Sequence, residues 1–239
     1  MAAVNLLTTR TITFLELMGN GRSYTVPAYQ RDYSWGEEQW EDLWNDLLEL
    51  RENEGRVHYL GALVVEARSD REFTVIDGQQ RLATLSLFSL AVIDRLEALA
   101  RQGTDPEDNR ERAQALRHRF VGEKDPVSLV EGSKLRLNET DNGLYQDYLV
   151  QLRPPLNPKG LAGSNRLLWN CFCWFRSRLE AGGPDHWSAT ALAQLLSETA
   201  ARRLVFMLVT VSDTLSAFQV FETLNARELA LSSTDLLKN

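Results

Sequence analysis

One segment of the sequence is apolar on nearly every face of a helix, and it constrains the fold more than any other feature. Between about residues 79 and 100, leucine, valine, isoleucine, alanine and phenylalanine recur at most helical positions, from Leu82 to Leu96. A helix with almost no polar face has to be covered on all sides by other elements. We therefore expect a central buried helix, and a chain of 239 residues is long enough to build a core around it.

Three further segments predict a small β-sheet. Residues 58–67 and 72–76 have the β-rich composition of a hairpin whose turn is the polar segment 68–71. Residues 204–211 form a continuous apolar run, which is typical of a buried strand. Residues 134–138 are a candidate for a short fourth strand. These strands among many helices predict a helix-rich α+β fold with a small mixed sheet surrounded by helices.

Local signals predict the limits of several helices. Ser34 and Glu37 have the spacing of a capping box, and the helix that it opens has helical apolar spacing and runs to about residue 52. Residues 10–22 predict a short helix followed by a Gly-Asn-Gly turn. Asp141 is a candidate N-cap for a helix that ends near residue 152.

A loop dense in proline and glycine, residues 153–164, is the best candidate for a subdomain boundary. We expect a sheet-containing core over residues 1–155 and a helical part with one buried strand over residues 156–239. A helix is expected at 214–225, and the chain stops inside a helix that has only just begun. We therefore expect a longer parent protein.

The charge and the histidine positions exclude some classes of function. The net charge of −7 argues against a protein that coats DNA non-specifically, although it leaves room for a local basic pocket. His58, His118 and His186 are far apart and form no metal-binding motif, so a zinc site or a histidine-metal nuclease within this chain is not expected. Nucleotide-binding signatures such as the P-loop are also missing from the sequence.

Several features favour a cytoplasmic protein. No apolar run reaches the roughly 18–20 residues of a membrane span, and the N-terminus lacks the pattern of a signal peptide. Cys171 and Cys173 lie two apart in an aromatic helical segment, so they point to different sides and no disulfide is expected.

The first candidate site is the sequence Asp77-Gly78-Gln79-Gln80-Arg81, where a strand ends and the buried helix begins. Free N–H groups and the helix dipole make such a junction suited to phosphate. Glycine permits a tight turn, arginine offers two parallel donors, and aspartate is suited to hold a metal ion or orient a water. The alternative is structural, with Asp77 as an N-cap paired to Arg81, and the residues alone favour neither reading.

The second candidate segment contains Tyr29, Gln30, Arg31 and Trp35. Aromatic side chains interleaved with arginine and glutamine suit stacking on a base and hydrogen bonding to its edge or to a phosphate. The alternative is an ordinary loop whose aromatic residues anchor the following helix.

Two weaker signals lie elsewhere. Asn225 lies at the end of the helix expected at 214–225 and Arg227 follows it closely, so both are placed to close over the same pocket, or else Asn225 is only a C-cap. Lys134 and Arg136 lie two apart on a short strand and so face the same side, which indicates either a basic surface or a solvated face.

The motifs together are more specific than any one of them. The segments VPAYQRDYSW, HYLGALVV, FTVIDGQQRLATL and FETLNARELALSSTDLLKN, in this order, resemble the GmrSD N-terminal family, also catalogued as domain of unknown function 262. The resemblance covers roughly residues 10–239. It implies a fold similar to the ParB/sulfiredoxin type and a role in bacterial defence. Members of the family cut phage DNA that carries modified bases, and related members sense phosphorothioate in the DNA backbone to distinguish self from foreign DNA.

The resemblance also implies an activity and its residues. The activity is magnesium-dependent hydrolysis of nucleoside triphosphate, with GTP preferred, which gates an HNH-type nuclease domain in the same parent chain. The residues implied for catalysis are Asp77, also as a metal ligand, Gln79, Gln80 and Arg81. Those implied for binding nucleotide are Gly78, Gln30, Arg31, Asn225 and Arg227. The family pattern commonly has glycine after this last arginine, and here Glu228 stands there, which weakens an anion site.

Three hypotheses follow. The first is a nucleotide-hydrolysing regulatory domain. The second is a module without catalysis that binds modified DNA through Tyr29, Gln30, Arg31, Trp35 and Lys134. The third is a helical scaffold in which the polar motif is a buried salt-bridge network with no adjoining cavity. The expected partners are modified DNA, nucleoside triphosphate, the linked nuclease domain and another copy of the chain, but no membrane.

Overall fold

The computed structural model describes residues 7–130, 132–180 and 187–212. Within these ranges six strands form one sheet in the order β1-β6-β3-β4-β2-β5. The strands are β1 (Leu7–Thr13), β2 (Ser23–Thr25), β3 (His58–Ala67), β4 (Glu72–Asp77), β5 (Leu135–Arg136) and β6 (Leu204–Val211).

Helices surround the sheet. The α-helices are α1 (Phe14–Met18), α2 (Glu37–Glu52), α3 (Gln79–Arg101), α4 (Pro106–Phe120), α5 (Glu139–Leu144), α6 (Gly163–Glu180), α7 (Ala189–Gln194) and α8 (Ala201–Arg203). Helices α5 and α7 continue into π-helical turns over Tyr145–Leu149 and Leu195–Ala200, and Pro158–Gly160 forms a 3₁₀ turn.

The sheet is mixed. Strands β3 and β4 pair as an antiparallel hairpin, and β1 pairs antiparallel with β6. Strand β3 runs parallel to β6, and β2 runs parallel to both β4 and β5. The expected helix-rich α+β class with a small mixed sheet is therefore confirmed, whereas the ParB/sulfiredoxin likeness stays a prediction.

Helix α3 is the central helix, as its sequence predicts. Its side chains from Leu82 to Leu96 are almost all buried, and it packs against α4, α6 and α7. Strand residues alternate between the two faces of the sheet, because successive side chains of a strand point in opposite directions. Leu63 and Val65 join the main core, whereas Val64 joins a smaller cluster.

The N-terminal region differs from its prediction. Residues 7–13 are an edge strand paired with β6, and the helix is confined to Phe14–Met18. Thr13 caps this helix, because its hydroxyl accepts from Glu16 N at 3.1 Å while the Glu16 carboxylate accepts from Thr13 N at 2.8 Å. The threonine-rich segment favours a strand once β6 offers it a partner.

Two predicted caps are wrong. The N-cap of α2 is Gly36, whose N–H donates to the Gln39 side chain at 2.8 Å, so Ser34 and Glu37 form no capping box. The N-cap of α5 is Asn138, and Asp141 lies inside that helix. Ser34 and Asp141 both lie near the observed helix starts, but they make contacts with distant segments: Ser34 N donates to Gln80, and Asp141 accepts from Tyr33 N.

The main core contains Val150 and Leu168, which lie on either side of the loop proposed as a boundary. The division near residue 155 stays a prediction, and the helix expected at 214–225 lies outside the described residues.

Candidate functional site

The junction between β4 and α3 is built around Gly78. Its φ of 93° lies in the left-handed region, and it is the N-cap of α3. A Cβ at this position would lie 2.7 Å from Leu63 Cδ1, so glycine is needed for space as well as for backbone conformation. The turn brings Asp77 to the end of the strand and places the first N–H groups of α3 beside it, where they have no partner within the helix.

Arg81 is held in a fixed orientation. Its Nη1 donates to the carbonyl oxygens of Leu60 and Ala62 at 2.8 and 2.7 Å, and its Nη2 lies 3.5 Å from Asp77 Oδ2. The guanidinium approaches β3 closely because Gly61, with a φ of 92°, has no side chain: a Cβ there would collide with Nη1. The Arg81 side chain is still 19% exposed and that of Asp77 30%, so both groups are accessible to a ligand.

The two glutamines of the motif connect it to the loop over residues 30–34. Gln80 Nε2 donates to Asp32 O at 3.2 Å, and its Oε1 accepts from Ser34 N at 2.8 Å. Gln79 Nε2 donates to Arg31 O at 3.4 Å. Both glutamines are buried, so their amides position the loop.

The loop also holds the motif from its own side. Gln30 Nε2 donates to Ile76 O, one residue before Asp77, at 2.7 Å. The structure therefore brings the two segments predicted from sequence into direct contact. Arg31 lies beside Gln79 and Gln80 at a small cavity of about 10 Å³.

Sequence reasoning missed two residues that fix this loop. Asn138 Nδ2 donates to Gln30 O at 3.1 Å and to Asp32 Oδ1 at 2.8 Å, and Asp141 Oδ2 accepts from Tyr33 N at 2.7 Å. Asp141 is buried, and its Oδ1 has no hydrogen-bond partner within the described part of the chain. Burial raises the pKa of this carboxyl. The sequence indicated Asn138 only as the end of a strand and Asp141 only as a helix cap. Their contacts with the loop were not predictable from local patterns, because they join positions more than 100 apart in sequence.

Tyr33 anchors the loop in the core. Its hydroxyl lies 2.7 Å from Thr84 Oγ1 and accepts from Trp40 Nε1 at 2.9 Å. Burial raises the pKa of Tyr33 well above its ordinary value. The loop is thus tied both to α2 and to the first turns of α3.

A crevice of about 160 Å³ opens beside Arg81. It is comparable in size to the 150 Å³ cavity that accommodates benzene in an engineered protein core. Trp35 and Leu60 supply apolar walls, and Asp42 and Asp46 supply carboxylates. This lining suits an uncharged ring with hydrogen-bond donors better than it suits a phosphate. An arginine that lines an open crevice also differs from the sealed salt-bridge network of the scaffold hypothesis.

The remaining predicted residues are placed as follows. Tyr29 is 60% exposed at the start of the loop.

Lys134 lies away from the motif, where its Nζ donates to the carbonyl oxygens of Met18, His118 and Arg119 at 2.7–2.9 Å. Burial lowers the pKa of this ammonium group. Its contacts hold the end of α4 and do not join the loop. Asn225 and Arg227, with Glu228, lie outside the described residues.

Within the described ranges, no group of three or more histidine, cysteine or carboxylate side chains is arranged to hold a metal ion. No helix there combines the length and the apolar character that crossing a membrane requires. Cys171 and Cys173 are both free thiols, in agreement with the expectation from their spacing.

The fold and the junction define a class: an α+β domain that presents a fixed arginine and an accessible aspartate at the start of a buried helix. The family model of the GmrSD restriction endonuclease N-terminal domain matches residues 14–239, essentially the whole chain, and the chain belongs to that family. A search of the curated proteins gives no match. Family membership indicates a role in a restriction system that acts on DNA and in which a nuclease domain is linked to this one.

Proposed function

We propose that this domain hydrolyses nucleoside triphosphates, with GTP preferred, at the β4–α3 junction and that its nucleotide state gates the linked nuclease domain. The observation that carries the proposal is the placement of Arg81. Two carbonyl oxygens and Asp77 hold its guanidinium, yet the side chain remains accessible beside the N-terminus of α3. An oriented guanidinium and free helix N–H groups are the donors that phosphate oxygens require.

The chemistry assigns different work to the two charged residues. In hydrolysis, water attacks the γ-phosphorus, the bond to the bridging oxygen breaks, and negative charge is shared among the phosphoryl and leaving oxygens. Arg81 donates hydrogen bonds to those oxygens. Asp77 would hold the magnesium ion of a magnesium–nucleotide complex, since Mg²⁺ bound to phosphates needs only one or two protein carboxylates. Magnesium, when bound, neutralises charge on the phosphates.

Gln79 and Gln80 have a positioning role in this proposal. The side-chain oxygen and nitrogen of Gln80 both form hydrogen bonds with the loop, so the glutamines keep Arg31 and the loop backbone close to the junction. The crevice lined by Trp35 and Asp42 would take the base, because it has the size of an aromatic ring and accepts hydrogen bonds.

Phosphate release by the full 239-residue chain with magnesium and each of GTP, ATP, CTP and UTP tests the proposal. We expect turnover with GTP that falls by about 100-fold or more in Arg81→Ala and in Asp77→Asn, the range seen when one group that stabilises a transition state is removed. Arg202→Ala is the matched control, since it removes an arginine that pairs with Glu198 at 2.6 Å outside the site.

Turnover of Arg81→Ala equal to that of the control would contradict the placement of the site. No turnover with any nucleotide, with or without modified DNA, would contradict hydrolysis by this chain and favour the second candidate function.

The second candidate is recognition of modified DNA by the loop. It rests on the exposure of Tyr29 directly before a segment that other side chains hold in place, because an exposed ring beside an anchored backbone is suited to stacking on a base. Binding of two 20-base-pair duplexes, plain and phosphorothioate-modified, tests it. We expect tighter binding of the modified duplex and a loss of about tenfold in Tyr29→Ala. Equal affinity for the two duplexes would contradict this function.

A further inference from the structure

A second open cleft lies at the other end of α3. It has a volume of about 620 Å³ and is formed by the last turns of α3, one face of α4 and residues 122–124. The residues contributed by α4 are Arg110, Gln114, Arg117 and His118. Their spacing of four, three and one residues places them on one side of the helix, so they form a continuous polar wall.

The cleft is basic in an acidic protein. Four of the nine residues that line it are arginine or lysine and two are glutamate, although the whole chain has a net charge of −7. Both glutamates have partners within the cleft: Glu97 lies 3.4 Å from Arg101, and Glu123 lies 3.0 Å from His118. Positive charge is therefore concentrated here against the overall charge of the chain.

Arg110 and Lys124 provide the charge available to a ligand. Both are exposed, and neither has a salt-bridge partner among the residues that the structure describes. Arg117 is different, because it is buried and donates to Val150 O at 2.7 Å. It supports the floor of the cleft, whereas Arg110 and Lys124 extend into solvent.

Lys134 fixes the wall of the cleft. Its ammonium group bonds to the carbonyl oxygens of His118 and Arg119 on one side and Met18 on the other, which ties the last turn of α4 to α1. The basic face therefore keeps its shape without a ligand. A fixed surface loses less conformational entropy on binding than a flexible one.

The dimensions favour a chain of phosphates over a single nucleotide. Arg110 and His118 are eight residues apart on α4, which corresponds to about 12 Å along the helix. One DNA strand presents a phosphate about every 3.4 Å along its axis, so this face spans several phosphates in succession.

We propose that this cleft, which we call the α3–α4 cleft, binds the phosphodiester backbone of DNA independently of the β4–α3 junction. Helix α3 has 23 residues and so is about 34 Å long, which separates the two sites widely. The cleft positions the domain on DNA without regard to sequence or modification, because backbone contacts carry no sequence information.

The test measures the affinity of the full chain for a plain, labelled 20-base-pair duplex between 50 and 200 mM salt. We expect the double variant Arg110→Glu/Lys124→Glu to bind about tenfold or more weakly at 100 mM salt. We also expect its plot of log K against log salt to lose a slope of about 2, since each contact contributes about 0.9. The charge-matched control is Arg10→Glu/Lys159→Glu, because neither residue lines the cleft.

Equal weakening in the two double variants would overturn the proposal, since the effect would then follow net charge alone. The proposal would also be overturned if the cleft variant lost binding of free GTP but kept the affinity and salt slope for DNA. Phosphate release without DNA separates this test from the proposed hydrolysis. We expect unchanged turnover in the cleft variant, and an unchanged melting temperature would show that its fold is intact.

Discussion

The two ends of α3 differ in how their polar groups are used. At the N-terminal end, Gln79 and Gln80 are buried and bonded to the 30–34 loop, and the Arg81 guanidinium is held on two sides. At the C-terminal end, Arg110 and Lys124 extend from the α3–α4 cleft into solvent. The same buried helix therefore connects a site of hydrogen-bonded polar groups to a surface of solvent-exposed charge.

This difference indicates different kinds of ligand recognition. Bonded, partly buried donors lose little conformational freedom when a ligand binds and act at defined positions, as catalysis requires. Exposed side chains adapt to many phosphate positions and are screened by salt. Substitutions at the junction should therefore affect stability and turnover together, whereas substitutions in the cleft should affect binding and little else.

The largest effect on stability is expected at Gly61. In Gly61→Ala the new Cβ would displace Arg81 Nη1 and would also occupy a backbone conformation with a φ of 92°. We expect the free energy of unfolding to fall by about 3 kcal/mol, because backbone strain adds to lost hydrogen bonds of a charged group. Urea unfolding measures this change, and phosphate release should fall in parallel.

Gly55→Ala is the matched control. Gly55 has a φ of 90°, nearly that of Gly61, but a Cβ there would have no neighbour within 4 Å. Its substitution should cost about 1 kcal/mol through backbone strain alone. If the two variants lost the same stability, the close fit between β3 and Arg81 would have no energetic role.

Smaller changes in the free energy of unfolding are expected from substitution of two glutamines, one at the β4–α3 junction and one in the α3–α4 cleft. Gln80→Ala removes a buried donor and acceptor and leaves Ser34 N and Asp32 O without this partner, so we expect a loss of about 1–3 kcal/mol. Gln114→Ala changes an exposed residue of the cleft and should stay within about 0.5 kcal/mol. Urea unfolding of both variants checks the contrast, and equal losses would remove the distinction between a bonded site and a solvated one.

The smallest effect is expected from Asp141→Asn and appears in the pH dependence of stability. Burial raises the pKa of Asp141 in the folded state, although bonds from Ser164 and Tyr33 N oppose this. The folded protein then binds the proton more tightly than the unfolded chain does. Its contribution to stability therefore falls as pH rises from the ordinary aspartate pKa, about 4, through the raised value.

Asp141→Asn should remove this contribution, so the variant should lose less stability than the original chain over that pH window. Urea unfolding at a series of pH values measures the difference. An unchanged pH profile would show that Asp141 ionises alike in the folded and unfolded chains.

The sequence predicts the elements whose pattern is local and strong. The bounds of β3 and β6 agree with their predictions, α2 ends at its predicted residue, and α3 ends one residue beyond its predicted end. Long apolar periodicity and the polar turn between β3 and β4 determine these elements within the segment itself. Strand β1 was missed because most of its side chains are exposed and its stability depends on pairing with β6, nearly 200 residues later.

The same distinction applies to the site. The segments 29–35 and 77–81 were recognised from their residue types, and the structure brings them together. The amide contacts of Gln30 and the anchoring roles of Asn138 and Asp141 were not predicted. Single-sequence patterns do not report hydrogen bonds between distant segments, so the geometry that turns the two motifs into one site became visible only in three dimensions.

The hydrogen bonds that hold the 30–34 loop also bear on how the protein folds. They join residues 46, 48, 106 and 108 positions apart, so none can form before distant parts of the chain have met. Contacts of such long range form late, because closing large loops is entropically unfavourable. We therefore expect the site to assemble later than the β3–β4 hairpin, whose strands are neighbours in the sequence. A defence protein built in this way acquires its activity only when its folding is complete.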